Sequence, residues 1–114
     1  MSIHAGKLRH RIEIQHKVTP RDPKTLEYGE PAWEAFAKPW ADVTPLSARD
    51  LLAAQAAQSE ATARMVIRYR PGVLPTMRIV YRGEIYSIEG PPLEDADSGL
   101  EYLTILVSKG VKDG

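Results

Sequence analysis

Apolar and polar positions alternate most sharply between Thr62 and Arg70. Ala63, Met65, Ile67 and Tyr69 fall on one side, and Thr62, Arg64, Val66, Arg68 and Arg70 on the other. Successive side chains of a strand point to opposite faces, so this pattern predicts a strand with one apolar and one basic face. Pro71 and Gly72 end it, because proline lacks the N–H and glycine admits unusual backbone angles. Met77 to Tyr81 and Glu84 to Glu89, joined through Arg82 and Gly83, have the β-branched and aromatic content of a hairpin around a short glycine turn. Leu8 to Val18 repeats the alternation, with Leu8, His10, Ile12 and Ile14 opposite Arg9, Arg11, Glu13, Gln15 and Lys17. Leu100 to Ser108 is apolar on both sides, as expected of a strand sandwiched between other elements. Trp40 to Val43 predicts one more strand, with Ala32 to Ala37 as an irregular or extended lead-in. Pro39 puts its start at an edge or a bulge.

A helix is indicated only at Ser47 to Gln58. Ser47 and Asp50 form a Ser-x-x-Asp capping box ahead of Leu51, Leu52 and a run of alanines. The apolar face of this helix is thin. It suits either a plain crossover covering a barrel mouth or an element that leans on a neighbour. Thr19 to Pro31, with Pro20, Pro23, Gly29 and Pro31, is a surface loop, and Gly90 to Gly99 an acidic one. The fold class that follows is mainly β: a small antiparallel β-barrel or sandwich with one short helix in a long excursion between the second and third strands. A single domain spans 1–114, with 1–7 and 109–114 as flexible ends.

Composition adds limits. A chain of 114 residues with 43% apolar content supports one modest core. It has no cysteine, which removes disulfides and thiolate metal sites and agrees with cytosolic synthesis. No run approaches a membrane span, and the N-terminus lacks the apolar segment of a signal peptide. Fifteen basic and fifteen acidic residues cancel, so no overall basic field draws the chain to nucleic acid. The charges segregate, however: Arg64, Arg68, Arg70, Arg78 and Arg82 precede Glu84, Glu89, Glu94, Asp95, Asp97 and Glu101. Two readings stand: two solvated surfaces, or a charge-complementary contact between copies of the chain.

Catalytic chemistry is thinly represented. His10 and His16 share a strand face, but roughly 20 Å apart at about 3.3 Å per residue, too far to share a metal ion. No serine has a nucleophile context and no glycine-rich phosphate loop occurs. Glu94, Asp95 and Asp97 lack the full spacing of a calcium loop. Neither a metal nor a cofactor is expected, and the chain does not read as an enzyme. A carboxylate hydrolase is the weakest reading. An OB-like module binding single-stranded nucleic acid is the alternative, resting on Arg64, Arg68 and Arg70 with Arg78 and Arg82 nearby. Tyr69 falls on the opposite, apolar face and would not stack beside them. The two tryptophans suit core positions, with an exposed Trp33 as the option of an interface anchor.

Taken in order, Leu8-Arg9-His10-Arg11-Ile12, Trp40-Ala41-Asp42-Val43, Ile67-Arg68-Tyr69-Arg70 and Gly83-Glu84-Ile85-Tyr86-Ser87-Ile88 form a set. In that set the chain, from Gly6 to Val107, resembles the head-closure (head–tail joining, or stopper) proteins of long-tailed bacteriophages. The resemblance implies a structural connector in the neck of a phage, prophage or gene transfer agent particle, assembled in the bacterial cytoplasm. It implies a homo-oligomeric ring, a dodecamer, with portal and adaptor above and tail terminator or tail tube below. Double-stranded DNA would pass through the lumen without sequence-specific binding, and no membrane is involved. The channel-closing element would fall on 46–60, with Ser47, Arg49, Asp50, Leu51, Leu52, Gln55 and Gln58 as its candidate residues. Subunit contacts would use Arg64, Arg68 and Arg70 against Glu94, Asp95 and Asp97. Docking of partners would use Lys7, Arg9, Arg11 and Trp33. The loop 19–31 would take up its order on docking.

Overall fold

Nine strands and one helix realise these patterns. The structure is a computed structural model that describes residues 8–94, 99 and 101–110. The strands are β1 (His10–Arg11), β2 (Glu13–Val18), β3 (Ala32–Ala37), β4 (Trp40–Pro45), β5 (Ala63–Arg68), β6 (Arg78–Tyr81), β7 (Glu84–Ile88), β8 (Leu93–Glu94) and β9 (Tyr102–Lys109). The helix α1 (Ala48–Ala56) joins β4 to β5. All belong to one antiparallel sheet in the order β1-β4-β5-β9-β7-β6-β2-β3, with β8 added on β9. β1 and β2 are separated by Ile12 alone, yet β1 stands at one end of that order and β2 next to the other, with only β3 beyond it. The chain passes from one end of the sheet to the other at Ile12, whose N–H donates to the Pro39 carbonyl at 3.1 Å, and the sheet curls into a half-barrel around the core. The expected barrel and its helical excursion are both present, but because Ala32–Ala37 is a strand in its own right the excursion falls between the third and fourth long strands, β4 and β5.

Alternation decides what faces the interior. Ile12, Ile14, Met65, Ile67, Ile79, Ile105 and Val107 are fully buried and form the core with Ala41, Ile88 and Leu103. Each such side chain contributes about 1.5–3 kcal/mol of burial. Val66, on the other face of β5, is buried as well, so that face is not uniformly basic. β9 lies between β5 and β7, pairing Met65 with Ile105 and Ile88 with Val107. That position accounts for its apolar residues on both faces. His10 of β1 and Tyr81 of β6 are hydrogen-bonded at 2.8 Å, Nδ1 to Oη, with rings edge to face. At the open end of β7 and β9 the Glu84 carboxylate meets Lys109 Nζ at 2.9 Å. That hydrogen bond lowers the Glu84 pKa from its ordinary value and raises that of Lys109.

Ala32–Ala37, taken from the sequence as a lead-in, is a regular strand. Its residues pair with β2 along Val18↔Ala32 to Ile14↔Ala37, with an irregularity between Ile14 and Gln15. The loop 19–31 is exposed and closed by its own bonds. Asp22 N–H donates to the Glu27 carbonyl and Leu26 N–H to the Asp22 carbonyl, both at 2.8 Å. Gly29 N–H donates to the Pro20 carbonyl at 2.6 Å. After β5 the turn at Gly72 has φ +90, and a Cβ there would come within 3.2 Å of Phe36 Cζ. Gly72→Ala is expected to lose roughly 1–3 kcal/mol of stability through strain and this contact. The midpoint of urea unfolding measures it.

Candidate functional site

The excursion is built to stand by itself. Its base is pinned where Leu46 N–H donates to the Thr62 carbonyl at 3.0 Å and Thr62 N–H to the Val107 carbonyl at 2.9 Å. Ser47 Oγ accepts from Asp50 N–H at 3.2 Å, the expected N-cap. At the other end Ser59 N–H reaches the Ala54 carbonyl and Gln58 N–H the Gln55 carbonyl, with Gln58 at φ +60. This is a Schellman closure made by glutamine where glycine is usual. No residue of α1 is buried. Arg49, Asp50, Gln55 and Gln58 are exposed, Leu51 is half-buried, and Leu52 is 66% exposed. The alanine-rich side faces β5 and β9 across an open groove of about 470 Å³, lined by Leu46, Ala53, Ala54, Ala57, Leu93 and Leu106. Asp50, Arg64 and Glu89 rim it. The helix is thus held by its caps and hinges, not by packing.

The second surface lies at the far end of β5. Pairing of Arg11 with Trp40, and of β4 with β5, gathers Arg11, Trp40, Arg68 and Arg70. The Arg11 guanidinium lies 5.1 Å from the Trp40 ring. Leu8, Pro39, Trp40, Arg68, Tyr69 and Arg70 line a recess of about 380 Å³ that holds neither a carboxylate nor an imidazole. Trp40 is 52% exposed, because the phase of β4 puts Ala41 in the core instead. The sequence reading placed Trp40 in the core and missed it as a surface residue. The only signal was the alternation itself, which set small Ala41 and bulky Trp40 on opposite faces.

The two charge blocks meet within one copy. Arg68 shares a shallow cleft with Glu101, and Arg70 shares one with Glu94. Arg64 lies apart, its Nε donating to Thr44 Oγ1 at 3.3 Å. Arg78 and Arg82 are not near the β5 arginines, since β9 and β7 intervene between β5 and β6. Arg78 Nε donates to Gln15 Oε1 at 2.7 Å, and its guanidinium lies 4.4 Å from the Trp33 ring. Lys17 approaches the same ring at 5.8 Å. Trp33 is half-buried between these cations on the outer face of the β2–β3 hairpin. Arg9 is exposed, whereas Lys7, Asp95 and Asp97 lie outside the described residues. Among the described residues no cluster of histidine, aspartate and glutamate could hold a metal ion. No helix among them is long and apolar enough to cross a membrane. What this arrangement offers is docking: one recess with arginines and an exposed indole, one apolar groove under a detachable helix, and no assembled acid–base pair.

Comparison with known proteins bears on which assembly that is. Residues 3–110 match the family described as phage head completion protein. The head completion protein gp7 of Enterobacteria phage HK97 is 31% identical over 98 residues, covering 80% of this chain and 84% of that one. The solution structure of protein SF1141 from Shigella flexneri 2a superposes with a TM-score of 0.77 at 33% identity, covering 97% of this chain and all of the other. A chain in the virion of a native gene transfer agent particle has the same fold, with a TM-score of 0.56 at 18% identity and coverage of 91% and 96%.

Proposed function

The chain belongs to the phage head completion protein family, and on that premise we propose that it is a structural connector of the virion neck. In this reading it forms a homo-oligomeric ring below the portal and adaptor, retains packaged DNA and presents the docking surface for the tail. The observation that carries the reading is the division of labour within the chain. The barrel keeps its core to itself, while the indole, the arginines and the whole of α1 are left to the surface. A ring requires one face of each copy to meet a different face of the next. The recess at Trp40 and the groove at α1 are separate surfaces left open for contacts of this kind. Duplex DNA passing the lumen would meet backbone charge only, without base readout.

Deletion of the gene tests the proposal. Filled heads that lose their DNA and stay unjoined to tails, seen by electron microscopy, are expected. Normal numbers of joined, infectious particles refute it. A finer test replaces 47–60 by a two-residue glycine turn between Leu46 and Thr62, whose backbones already meet. The barrel should keep its melting temperature to within a few degrees, since nothing in α1 is buried. Retention of DNA in the head should fall if the excursion closes the channel.

The alternative of a single-stranded nucleic-acid module draws on Trp40, Arg68 and Arg70. It is the weaker one, since the Arg11 guanidinium already sits over the Trp40 ring and Glu101 borders Arg68. Absence of a gel shift with single strands at low salt discards it.

A further inference from the structure

The tip of the β2–β3 hairpin displays two large apolar side chains in a position they do not reach by default. Leu26 is 58% exposed and Tyr28 67%. Leu26 also has φ +62, in the left-handed region that suits glycine or asparagine and is strained for leucine. The turn holds it there: its N–H is bound to the Asp22 carbonyl, and its carbonyl accepts from Arg21 Nε at 3.2 Å. Asp22 Oδ1 accepts from the amides of Lys24 and Thr25, and the Arg21 guanidinium covers the Tyr28 ring at 5.5 Å. These bonds define the turn, which presents apolar surface to water in a strained backbone conformation. Preorganised display of this kind lowers the ordering cost of docking.

The same chain carries a matching recess. The groove under α1 is apolar, open and shallow-walled because the helix offers alanines where leucines would fill it. Its rim carries Asp50, Glu89 and the neighbouring Glu60 against one cation, Arg64, a net acidic edge that suits a cationic visitor, and the tip brings Lys24 and Arg21 beside Leu26. Four antiparallel steps separate β2 from β5, so the two strands run parallel. The hairpin leaves the C-terminal end of β2 and α1 enters the N-terminal end of β5, so the two features lie at opposite ends of the barrel. A contact between different faces of identical chains propagates from copy to copy instead of closing as a dimer. We propose that Leu26 and Tyr28 of one copy seat in the groove between α1 and the β5–β9 face of the next copy. This rests on the reading of the chain as a self-assembling neck component and names the surfaces that would join its copies.

Cysteine substitution tests it cleanly, because the chain has none of its own. Particles are produced carrying both Leu26→Cys and Ala57→Cys, purified and oxidised, and their disulfide-linked peptides are identified by mass spectrometry. A 26–57 link between copies, in yield well above 26–26 and 57–57 links, is expected. Joined particles that contain the chain but show no 26–57 link overturn this inference and leave the neck assignment standing. Particles that lack the chain at the neck overturn the neck assignment itself. A second variant guards against misfolding. Leu26→Gly removes both the strain and the side chain, so the isolated protein should melt no lower than wild type while the yield of joined particles drops at least tenfold. Wild-type joining by that variant refutes the proposal.

Discussion

An Ile67→Ala chain is expected to lose about 2–5 kcal/mol of stability, the largest single-residue effect in the barrel. Ile67 has no exposed surface, and its strand β5 pairs on both sides, with Ala41 across one edge and Leu103 across the other. Domains of this size have about 5–15 kcal/mol in total, so the variant should sit at the margin of folding at growth temperature. Its melting temperature should fall by about 8–20 °C, at roughly 4 °C per kcal/mol. Circular dichroism melting measures this, with Leu52→Ala as the control. Leu52 is a similar aliphatic side chain but 66% exposed, and its loss should cost at most about 0.5 kcal/mol. Equal effects of the two would mean that α1 packs as core, against the structure.

Reversing Arg68 and Arg70 together to glutamate is expected to leave the fold intact and abolish docking. Both side chains are exposed and bound the recess at Trp40, so the barrel loses no buried contact. Arginine beside an indole is the chemistry of interface hot spots, where one truncation costs about 2 kcal/mol or more. Two reversals next to Glu94 and Glu101 also add like-charge repulsion. Together they amount to a weakening of the order of a thousandfold at each copy. Repeated around an assembly, that removes joined particles altogether. Weakening should be greater at low salt than at high, because the lost terms are screened. The measurement is the yield of joined particles when variant protein complements particles lacking the chain. Full complementation would mean that the arginines are only solvated.

Much of the barrel was legible because its strands alternate strictly. Ala63 to Arg70 and Met77 to Ile88 need nothing beyond period two and a glycine turn, and Ser47 with Asp50 announces the helix. Ala32–Ala37 was not legible, because three of its residues are alanines with little intrinsic preference for strand. It is made a strand by lying against β2. The clustering of Arg78 with Arg68, expected from their closeness in sequence, failed for a topological reason. β9, last along the chain, inserts between the strands that carry them. The recess at Trp40 was missed because bulk suggested the core, whereas phase sent small Ala41 inward. Gln58 and Leu26 adopt left-handed backbone at residues that give no hint of it.

The central place of β9 has a consequence for how the chain comes to be. The chain must be made as far as residue 109 before β5 and β7 find the strand that parts them. Until then both present bare edges. Folding is therefore governed by pairing between distant stretches, on the slow side for a chain of this length. A product truncated before residue 100 would be a sticky half-shell, which favours the production of complete chains before any copy meets another.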